Sequence, residues 1–398
     1  MFRHLLKLIW KRKGRNLMLS LEILLAFVIV FAVAAFGLRY FQLYQMPTGF
    51  VANDIWSVEV NAAESKPIKG AARYEQFKRG LLALPEVKQV AFITAAPFLS
   101  HTWNTDYLVP GSETRVRAEQ VIVSDEAFSV LGIKLEQGRP FDHSDDGAAA
   151  TPVVLNRRLA HALFGTETAL GRQFDASERD SKTHTMFKVV GLVDDLRKKG
   201  ELDKPGNVII VRHLPDVDEG LRGILVKLAP GTTRAFEEKL NRQLKLINNE
   251  WTYEISPLSA LRKTMLSSRL TPILILAVIA AFLLLMVAFG LFGVLWQNTT
   301  RRIPEIGLRR AIGANAGDIY RQIIAEQFLL STGAMLAALL LLVQLPLTGA
   351  LGESLNWTVF AAATALSMGV IYLLSLLCSV YPGWRASRLS PTQALHYE

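Results

Sequence analysis

The chain has 398 residues, of which 51% are hydrophobic, and a formal net charge of +9 at pH 7. Because the hydrophobic residues are concentrated in long blocks, the composition excludes a protein that is soluble throughout. Residues 41–270 carry 30 Lys and Arg against 29 Asp and Glu, so the basic excess flanks the apolar blocks. This distribution excludes a basic nucleic-acid-binding surface.

Four apolar segments predict transmembrane helices. They are residues 17–40, 271–296, 321–345 and 357–380. At about 1.5 Å per residue each covers roughly 36 Å or more, which exceeds a hydrocarbon core of about 30 Å. The first helix follows a basic segment, 1–16, so a cleaved signal peptide is the alternative for this start. The apolar run is too long for one, and it continues past the small residues Ala32, Val33 and Ala34.

Residues 41–270 predict a large α+β extracytoplasmic domain inserted between the first and second transmembrane helices. Segments 50–100 and 216–257 each show a strand, an amphipathic helix and a strand, so two β-α-β units are predicted to form a membrane-proximal lobe. Residues 100–215 contain short strands broken by Gly, Pro and Asp, which predict a β-rich distal lobe. The predicted fold class is therefore an α-helical membrane protein that carries this inserted domain.

Side chains that could hold a metal ion or catalyse a reaction do not cluster in the sequence. The pairs Asp145-Asp146 and Asp194-Asp195 lack the ordered spacing of a cation site and are interpreted as solvated turn carboxylates. The histidines are scattered, and the single cysteine, Cys378, is predicted to be a small packing residue. The sequence predicts no catalytic residue, metal site or cofactor site in this chain.

The distribution of Lys and Arg predicts the orientation in the membrane. Basic residues cluster in segments 1–16, 297–320 and 381–398, whereas the short loop 346–356 has neither Lys nor Arg. By the positive-inside rule, both termini and the 297–320 loop are cytoplasmic, and the domain at 41–270 lies outside.

A charged helix follows the second apolar segment, in the stretch RRIPEIGLRRAIGA at residues 301–314. A helix that begins at Pro304 would turn one face toward the membrane spans, namely Pro304, Gly307, Leu308, Ala311 and Ile312. Its other face would carry charges around one isoleucine, namely Arg302, Glu305, Ile306 and Arg309. Gly313 is predicted to end this helix, and Asn315 to begin the next one. Two interpretations remain open: an amphipathic connector at the lipid interface, or a surface that fits a cleft in a partner protein.

The phosphate-binding loop of nucleotide hydrolases requires a Gly-Lys dipeptide within its glycine-rich turn. That dipeptide does not occur in the sequence. We therefore predict that this chain is not an enzyme and that any ATP hydrolysis takes place in another protein.

The stretch EIGLRRAIGA and the following DIYRQIIAEQFLLS resemble the cytoplasmic loop of ABC-transporter permeases of the MacB, LolC/LolE and FtsX-like group. The end of the chain, YPGWRASRLSPTQALHYE, resembles the shared tail of the same group. The resemblance implies that the loop contains a coupling helix for a separate ATPase, with these matching residues: Glu305, Ile306, Gly307, Leu308, Arg309, Ala311, Gly313 and Ala314. Pro304 replaces a basic residue of the family, so one ionic contact is missing or displaced to Arg301 or Arg302. The matching tail residues include Tyr381, Pro382, Arg385, Leu389, Pro391 and Leu395.

The resemblance also implies a function. Family members are permease subunits that pass the ATP-driven motion of an ATPase to a periplasmic domain, for efflux or other envelope transport, in the bacterial inner membrane. The implied partners are two copies of an ATPase that binds ATP and Mg²⁺, and a second permease that is either identical or a sister chain. A periplasmic adaptor and an outer-membrane channel are left open. The competing hypotheses are a membrane receptor or scaffold that binds an envelope ligand or enzyme, and a membrane enzyme.

Overall fold

The computed structural model describes residues 13–61, 68, 70–176, 185–216, 221–349 and 355–388, without the side chains of residues 13–16 and 310. Several predicted features lie outside these residues: the basic segment 1–12, loop residues 350–354, and the tail residues Leu389, Pro391 and Leu395. The chain divides into two compact units. Residues 43–269 form one, called here the sheet unit, and the helical unit contains the rest.

Four long helices of the described chain match the four predicted spans. They are α1 (Lys13–Gln45), α6 (Leu258–Arg301), α8 (Ala316–Leu342) and α10 (Trp357–Ser387). Each is long and apolar enough to cross a membrane. Shorter helices are α7 (Ile303–Ala311) and α9 (Gln344–Thr348), which precede and follow α8.

The helix of the second span begins well before the predicted segment 271–296, because α6 extends over 44 residues from Leu258 to Arg301. At about 1.5 Å per residue its length is roughly 66 Å, about twice the hydrocarbon thickness. Pro272 lies inside it and cannot donate the backbone hydrogen bond of its turn. Residues of α6 belong to both units, since the units divide at Leu270.

Packing between α8 and α10 combines apolar and hydroxyl side chains. Ser331 and Ser375 are fully buried, and their hydroxyl oxygens are 2.8 Å apart. A second pair, the hydroxyls of Thr332 and Tyr372, is also 2.8 Å apart. Small residues such as serine and threonine allow close helix approach, and hydrogen bonds between the helices fix the rotation of one against the other. Cys378 is buried in the same apolar cluster, as the sequence predicted.

Eleven strands of the described chain form one sheet in the sheet unit. Its first lobe contains the two predicted β-α-β units: β1 (Ile55–Asn61), α2 (Ala71–Leu82), β2 (Val87–Ile93), β10 (Gly223–Leu228), α5 (Phe236–Ile247) and β11 (Thr252–Pro257). The strands follow the order β11-β1-β10-β2 and are all antiparallel, so the two units interleave. The rings of Phe77 on α2 and Trp251 stack at 5.7 Å in the shared core.

The second lobe contains the other strands and two short helices: β3 (Trp103–Leu108), β4 (Arg115–Val123), α3 (Ala127–Leu131), β5 (Leu135–Gly138), β6 (Thr151–Asn156), α4 (Arg157–Phe164), β7 (Gln173–Asp175), β8 (Met186–Val193) and β9 (Val208–Arg212). The sheet continues from β2 through β4-β9-β6-β8-β5. The lobes are joined between β2 and β4 at one residue pair, Ile93 and Val123. The prediction of an α+β domain with a β-rich second lobe is therefore confirmed, and the two lobes share one sheet.

Candidate functional site

The short helix α7 packs one face against its own unit. Ile303 and Ile306 are each 6% exposed, and Gly307 is buried beside them. Ile306 lies in an apolar cluster with Ile319 of α8 and Ala386 of α10. Residues at i, i+3 and i+4 lie on one side of a helix, so this spacing fixes the rotation of α7.

The predicted assignment of faces was wrong. Ile306 was expected on the exposed, charged side, whereas Leu308 and Ile312 were expected beneath the membrane spans. In the structure, Leu308 is 56% exposed and Ile312 is 79% exposed. A nine-residue helix offers two apolar stripes, and the choice between them depends on Ala386, which is distant in sequence.

The exposed face of α7, together with Ile312 directly after the helix, is called here the docking face; it consists of apolar side chains beside one ion pair. Its members are Pro304, Glu305, Leu308, Ala311 and Ile312. Arg309 donates to Glu305 at 2.6 Å, which confirms the Glu-to-Arg pair at i, i+4. Gly313 and Ala314 follow as exposed and half-buried residues of the turn.

A polar network fastens the base of α7 to α8. Arg302 donates two hydrogen bonds to the Glu326 carboxylate, at 3.0 and 2.8 Å, and both side chains are largely buried. Arg309 also donates to Gln322 at 2.9 Å, and Gln322 donates to Glu326 at 3.3 Å. The Arg302 guanidinium is thus neutralised by a carboxylate of its own unit, Glu326 of α8.

The turn after α7 follows the predicted boundaries. Gly313 has a φ of 102°, a conformation that disfavours any other residue, so the helix ends before it. Asn315 occupies the N-cap position of α8, but its side chain makes no capping hydrogen bond.

The described part of the predicted tail motif is the last turns of α10. Pro382 and Ala386 are buried, whereas Tyr381 and Arg385 are exposed. Ala386 contacts the inner face of α7 through the shared cluster with Ile306. The end of α10 therefore packs against the buried side of α7, opposite the docking face.

A buried arginine that the sequence analysis missed lies in the sheet unit. Arg197 is 2% exposed and donates five hydrogen bonds to backbone carbonyls, without a carboxylate among these acceptors. Three acceptors lie in the segment that leaves α1: Leu43 at 3.0 Å, Pro47 at 3.1 Å, and Met46. The guanidinium thereby supplies donors to carbonyls at and just beyond the end of α1, where backbone acceptors lack a continuing helix turn; Leu43 also accepts from the Met46 N–H at 3.2 Å.

The loop that carries Arg197, residues 195–203, also holds the first turns of α6. Glu201 of this loop pairs with Arg262. Gly200 has a φ of 103°, and a Cβ atom there would lie 2.2 Å from the Met265 methyl carbon. This loop is called here the clasp loop. It contacts both segments that connect the sheet unit to the rest of the chain: the end of α1 and the start of α6. No local pattern in the sequence distinguishes Arg197 from the neighbouring basic residues Lys198 and Lys199.

The pair Asp145-Asp146 differs from its interpretation as solvated turn carboxylates, whereas Asp194 of the second pair is exposed. Asp145 is 7% exposed and receives two hydrogen bonds from Arg139, at 2.8 and 2.6 Å. Asp146 accepts from Arg212 at 2.7 Å. The Arg139 guanidinium holds the pKa of Asp145 below its ordinary value. Within the described residues, no group of three or more His, Cys, Asp or Glu side chains is placed to hold a metal ion.

Asp145→Asn is expected to destabilise the folded sheet unit by about 2 kcal/mol at pH 7, because Arg139 loses the closer and more buried of its two carboxylate partners. The lowered pKa of Asp145 means that its contribution is present above the ordinary pKa and disappears as pH falls through the folded-state value. Thermal unfolding of the full chain in detergent should therefore show a difference between wild type and variant that shrinks below about pH 4. Glu113→Gln, at an exposed position, should leave the unfolding temperature unchanged. A pH-independent difference would contradict the assignment.

Comparison with known families covers most of the chain. Residues 17–243 match the family described as the MacB-like periplasmic core domain. Residues 277–391 match the FtsX-like permease C-terminal family. The chain belongs to the MacB-like family of ABC transporter permeases. The four apolar helices and the inserted α/β domain are thus those of a MacB-like permease with its periplasmic core domain.

Curated relatives of the permease are longer proteins. The macrolide export ATP-binding/permease protein MacB 1/2 of Paracoccus denitrificans is 26% identical over 75% of this chain and 44% of that protein. The pyoverdine export ATP-binding/permease protein PvdT of Pseudomonas savastanoi is 25% identical over 98% of this chain and 58% of that protein. The chain spans about half the length of the curated relatives it matches.

A solved structure resembles part of the permease. The crystal structure of the periplasmic region of MacB from Actinobacillus actinomycetemcomitans covers 56% of this chain and 97% of its own length, at 17% identity and a TM-score of 0.40.

Proposed function

We propose that this permease transmits the ATP-driven motion of a separate ATPase subunit to its periplasmic domain. The observation that carries the proposal is the docking face, on which Leu308 and Ile312 are exposed beside a charged pair. An apolar anchor with a polar rim is the usual form of a protein contact. The sequence has no Gly-Lys dipeptide, so the chain supplies no phosphate-binding loop of its own.

The contacts of α7 with α8 and α10 explain how a displacement of the docking face would be transmitted to the membrane helices. The buried face of α7 contacts α8 and α10, and the Arg302–Glu326 pair adds a second attachment to α8. A partly buried ion pair with two hydrogen bonds resists displacement more than an exposed one. The helix therefore moves together with its neighbours.

The clasp loop supplies the complementary attachment in the sheet unit. It holds the end of α1 through Arg197 and the start of α6 through Glu201, so both chain segments that enter the sheet unit contact the same loop. A movement of α1 or α6 would thus be transferred to the sheet through a short, hydrogen-bonded element.

The proposed topology places both termini and the docking face in the cytoplasm and the sheet unit in the periplasm. The proposed complex contains two ATPase subunits with bound ATP and Mg²⁺ and a second permease, identical or sister. Its work is efflux or other transport in the cell envelope. Relatives are named for macrolide and pyoverdine export, and those names do not select a substrate for this chain.

Thiol labelling tests the topology, because the chain has one cysteine, Cys378, which is buried. In a Cys378→Ala background, Ala149→Cys and Ala311→Cys each place one thiol at an exposed position. We expect an impermeant maleimide to label the first variant in intact spheroplasts and the second only after lysis. Labelling of Ala311→Cys in intact spheroplasts would contradict the proposal.

Copurification tests the partner. The tagged permease, extracted from its native membrane in mild detergent, is expected to bring down a nucleotide-binding subunit that hydrolyses ATP. Recovery of an envelope ligand or enzyme without any such subunit would instead favour a receptor or scaffold.

A further inference from the structure

Four aromatic rings form a ladder where the apolar parts of α6 and α10 end. Phe292 and Trp296 of α6 are stacked at 6.2 Å, and Trp296 lies 5.9 Å from Tyr381 of α10 with an interplanar angle of 5°. Tyr381 in turn stacks on Trp384 at 6.4 Å. Three of these rings remain accessible, with Phe292, Tyr381 and Trp384 exposed by 38%, 50% and 47%.

Two arginines lie on the indoles of this ladder. The Cζ atom of Arg385 is 4.4 Å from the ring centroid of Trp296, and that of Arg388 is 4.6 Å from the centroid of Trp384. Both arginines are exposed, and neither forms an ion pair or donates a side-chain hydrogen bond within the described part of the chain. The cluster is therefore a positive surface that pairs with no anionic side chain among the described residues.

The position of the ladder indicates which anion would bind. After Trp296 the sequence becomes polar, with Gln297, Asn298 and Thr299, and in α10 the apolar run ends at Val380. Tryptophan and tyrosine at such boundaries lie at the level of lipid headgroups. A guanidinium that contacts an indole keeps its N–H donors available, and these donors match the oxygens of a phosphate in geometry and charge.

We propose that Arg385 and Arg388, held on Trp296 and Trp384, form a binding site for the phosphate group of an anionic phospholipid. The rings provide an apolar floor for the glycerol backbone and upper acyl chains, while the two guanidinium groups contact the phosphodiester. A zwitterionic lipid presents the same phosphate next to its own cation, so the site prefers lipids with net negative charge. The site is independent of ATPase docking, and the proposed topology decides only which leaflet supplies the lipid.

Native mass spectrometry of the full chain in detergent tests this site. Phosphatidylglycerol or phosphatidylcholine is titrated, and bound lipids are counted for wild type, Arg385→Gln, Arg388→Gln and the double variant. Each arginine near a membrane surface strengthens anionic lipid binding about fivefold, so the double variant should bind phosphatidylglycerol about 30-fold more weakly. Binding of phosphatidylcholine should be unchanged.

Arg321→Gln is the matched control, because Arg321 is an exposed arginine near the start of α8 and outside the ladder. It should bind phosphatidylglycerol as wild type does. Trp384→Leu keeps an apolar side chain but removes the ring beneath Arg388, and should weaken binding about two- to fivefold. A double variant with wild-type lipid preference would overturn the proposal. Full displacement of the lipid by soluble glycerol phosphate would also overturn it. So would a result in which the arginine variants are defective only in ATPase binding.

Discussion

Ile312→Asp is expected to uncouple the permease from the ATPase subunit proposed above. Ile312 is 79% exposed at the end of the docking face, so the substitution is tolerated by the isolated chain and acts only when a partner covers it. Loss of one buried isoleucine contact costs about 2 kcal/mol, and an uncompensated buried carboxylate costs more. We therefore expect ATPase affinity to fall at least about 30-fold, measured by pull-down and by permease-stimulated ATP hydrolysis.

A closely matched control is available on α5 of the sheet unit. Leu246 is 77% exposed, so Leu246→Asp makes a comparable apolar-to-acidic change at comparable exposure. It should leave ATPase binding and stimulated hydrolysis at the wild-type level. Leu308→Asp, on the same face as Ile312, should reproduce the defect. If both docking-face variants bind the ATPase normally, α7 is not the coupling helix and the lipid-interface interpretation returns.

Arg197→Ala is expected to release the end of α1 from the clasp loop. The substitution removes the guanidinium donor from five carbonyl acceptors, of which those at Leu43, Met46 and Pro47 lie at and just beyond the end of α1. Removal of a buried, fully hydrogen-bonded charge typically costs about 3 to 5 kcal/mol. Hydrogen exchange of amides in residues 43–50 and 195–203 should accelerate about 100-fold or more, while ATPase binding at the docking face is retained.

Arg115→Ala serves as the comparison, because Arg115 donates to a single backbone carbonyl, that of Asp106, in an exposed bond. Exchange in the two segments should then match wild type. Arg197→Lys should give an intermediate result, since an ammonium group has three donors and lacks the planar fork. Unchanged protection in Arg197→Ala would show that the clasp loop is held by other contacts.

The features that the sequence predicted correctly are those with a local signal. Each transmembrane span is a long apolar run, and each β-α-β unit carries its own periodicity, so both can be predicted without knowledge of the fold. The Glu305–Arg309 pair and the stop before Gly313 depend on residues within one turn of helix, and both are present.

The features that were missed depend on partners far along the chain. Ile306 is buried because Ala386 covers it, and no periodicity within nine residues of α7 could select that stripe. Arg197 binds carbonyl groups 151 and 154 positions earlier, at Met46 and Leu43. Asp146 accepts a hydrogen bond from Arg212, which lies 66 positions later in the chain. Because every residue has a backbone carbonyl, the sequence does not show which carbonyls will accept hydrogen bonds from Arg197.

Pro272 has a mechanical consequence for α6. A helix under axial force bends first at the turn where its backbone hydrogen bonding is weakest. The missing backbone bond at Pro272 makes that turn the compliant one, only two residues past the boundary at Leu270. An axial force on α6 would therefore bend the helix at Pro272. Part of the proposed movement would then appear as a change in helix direction there and not as a shift along the helix axis.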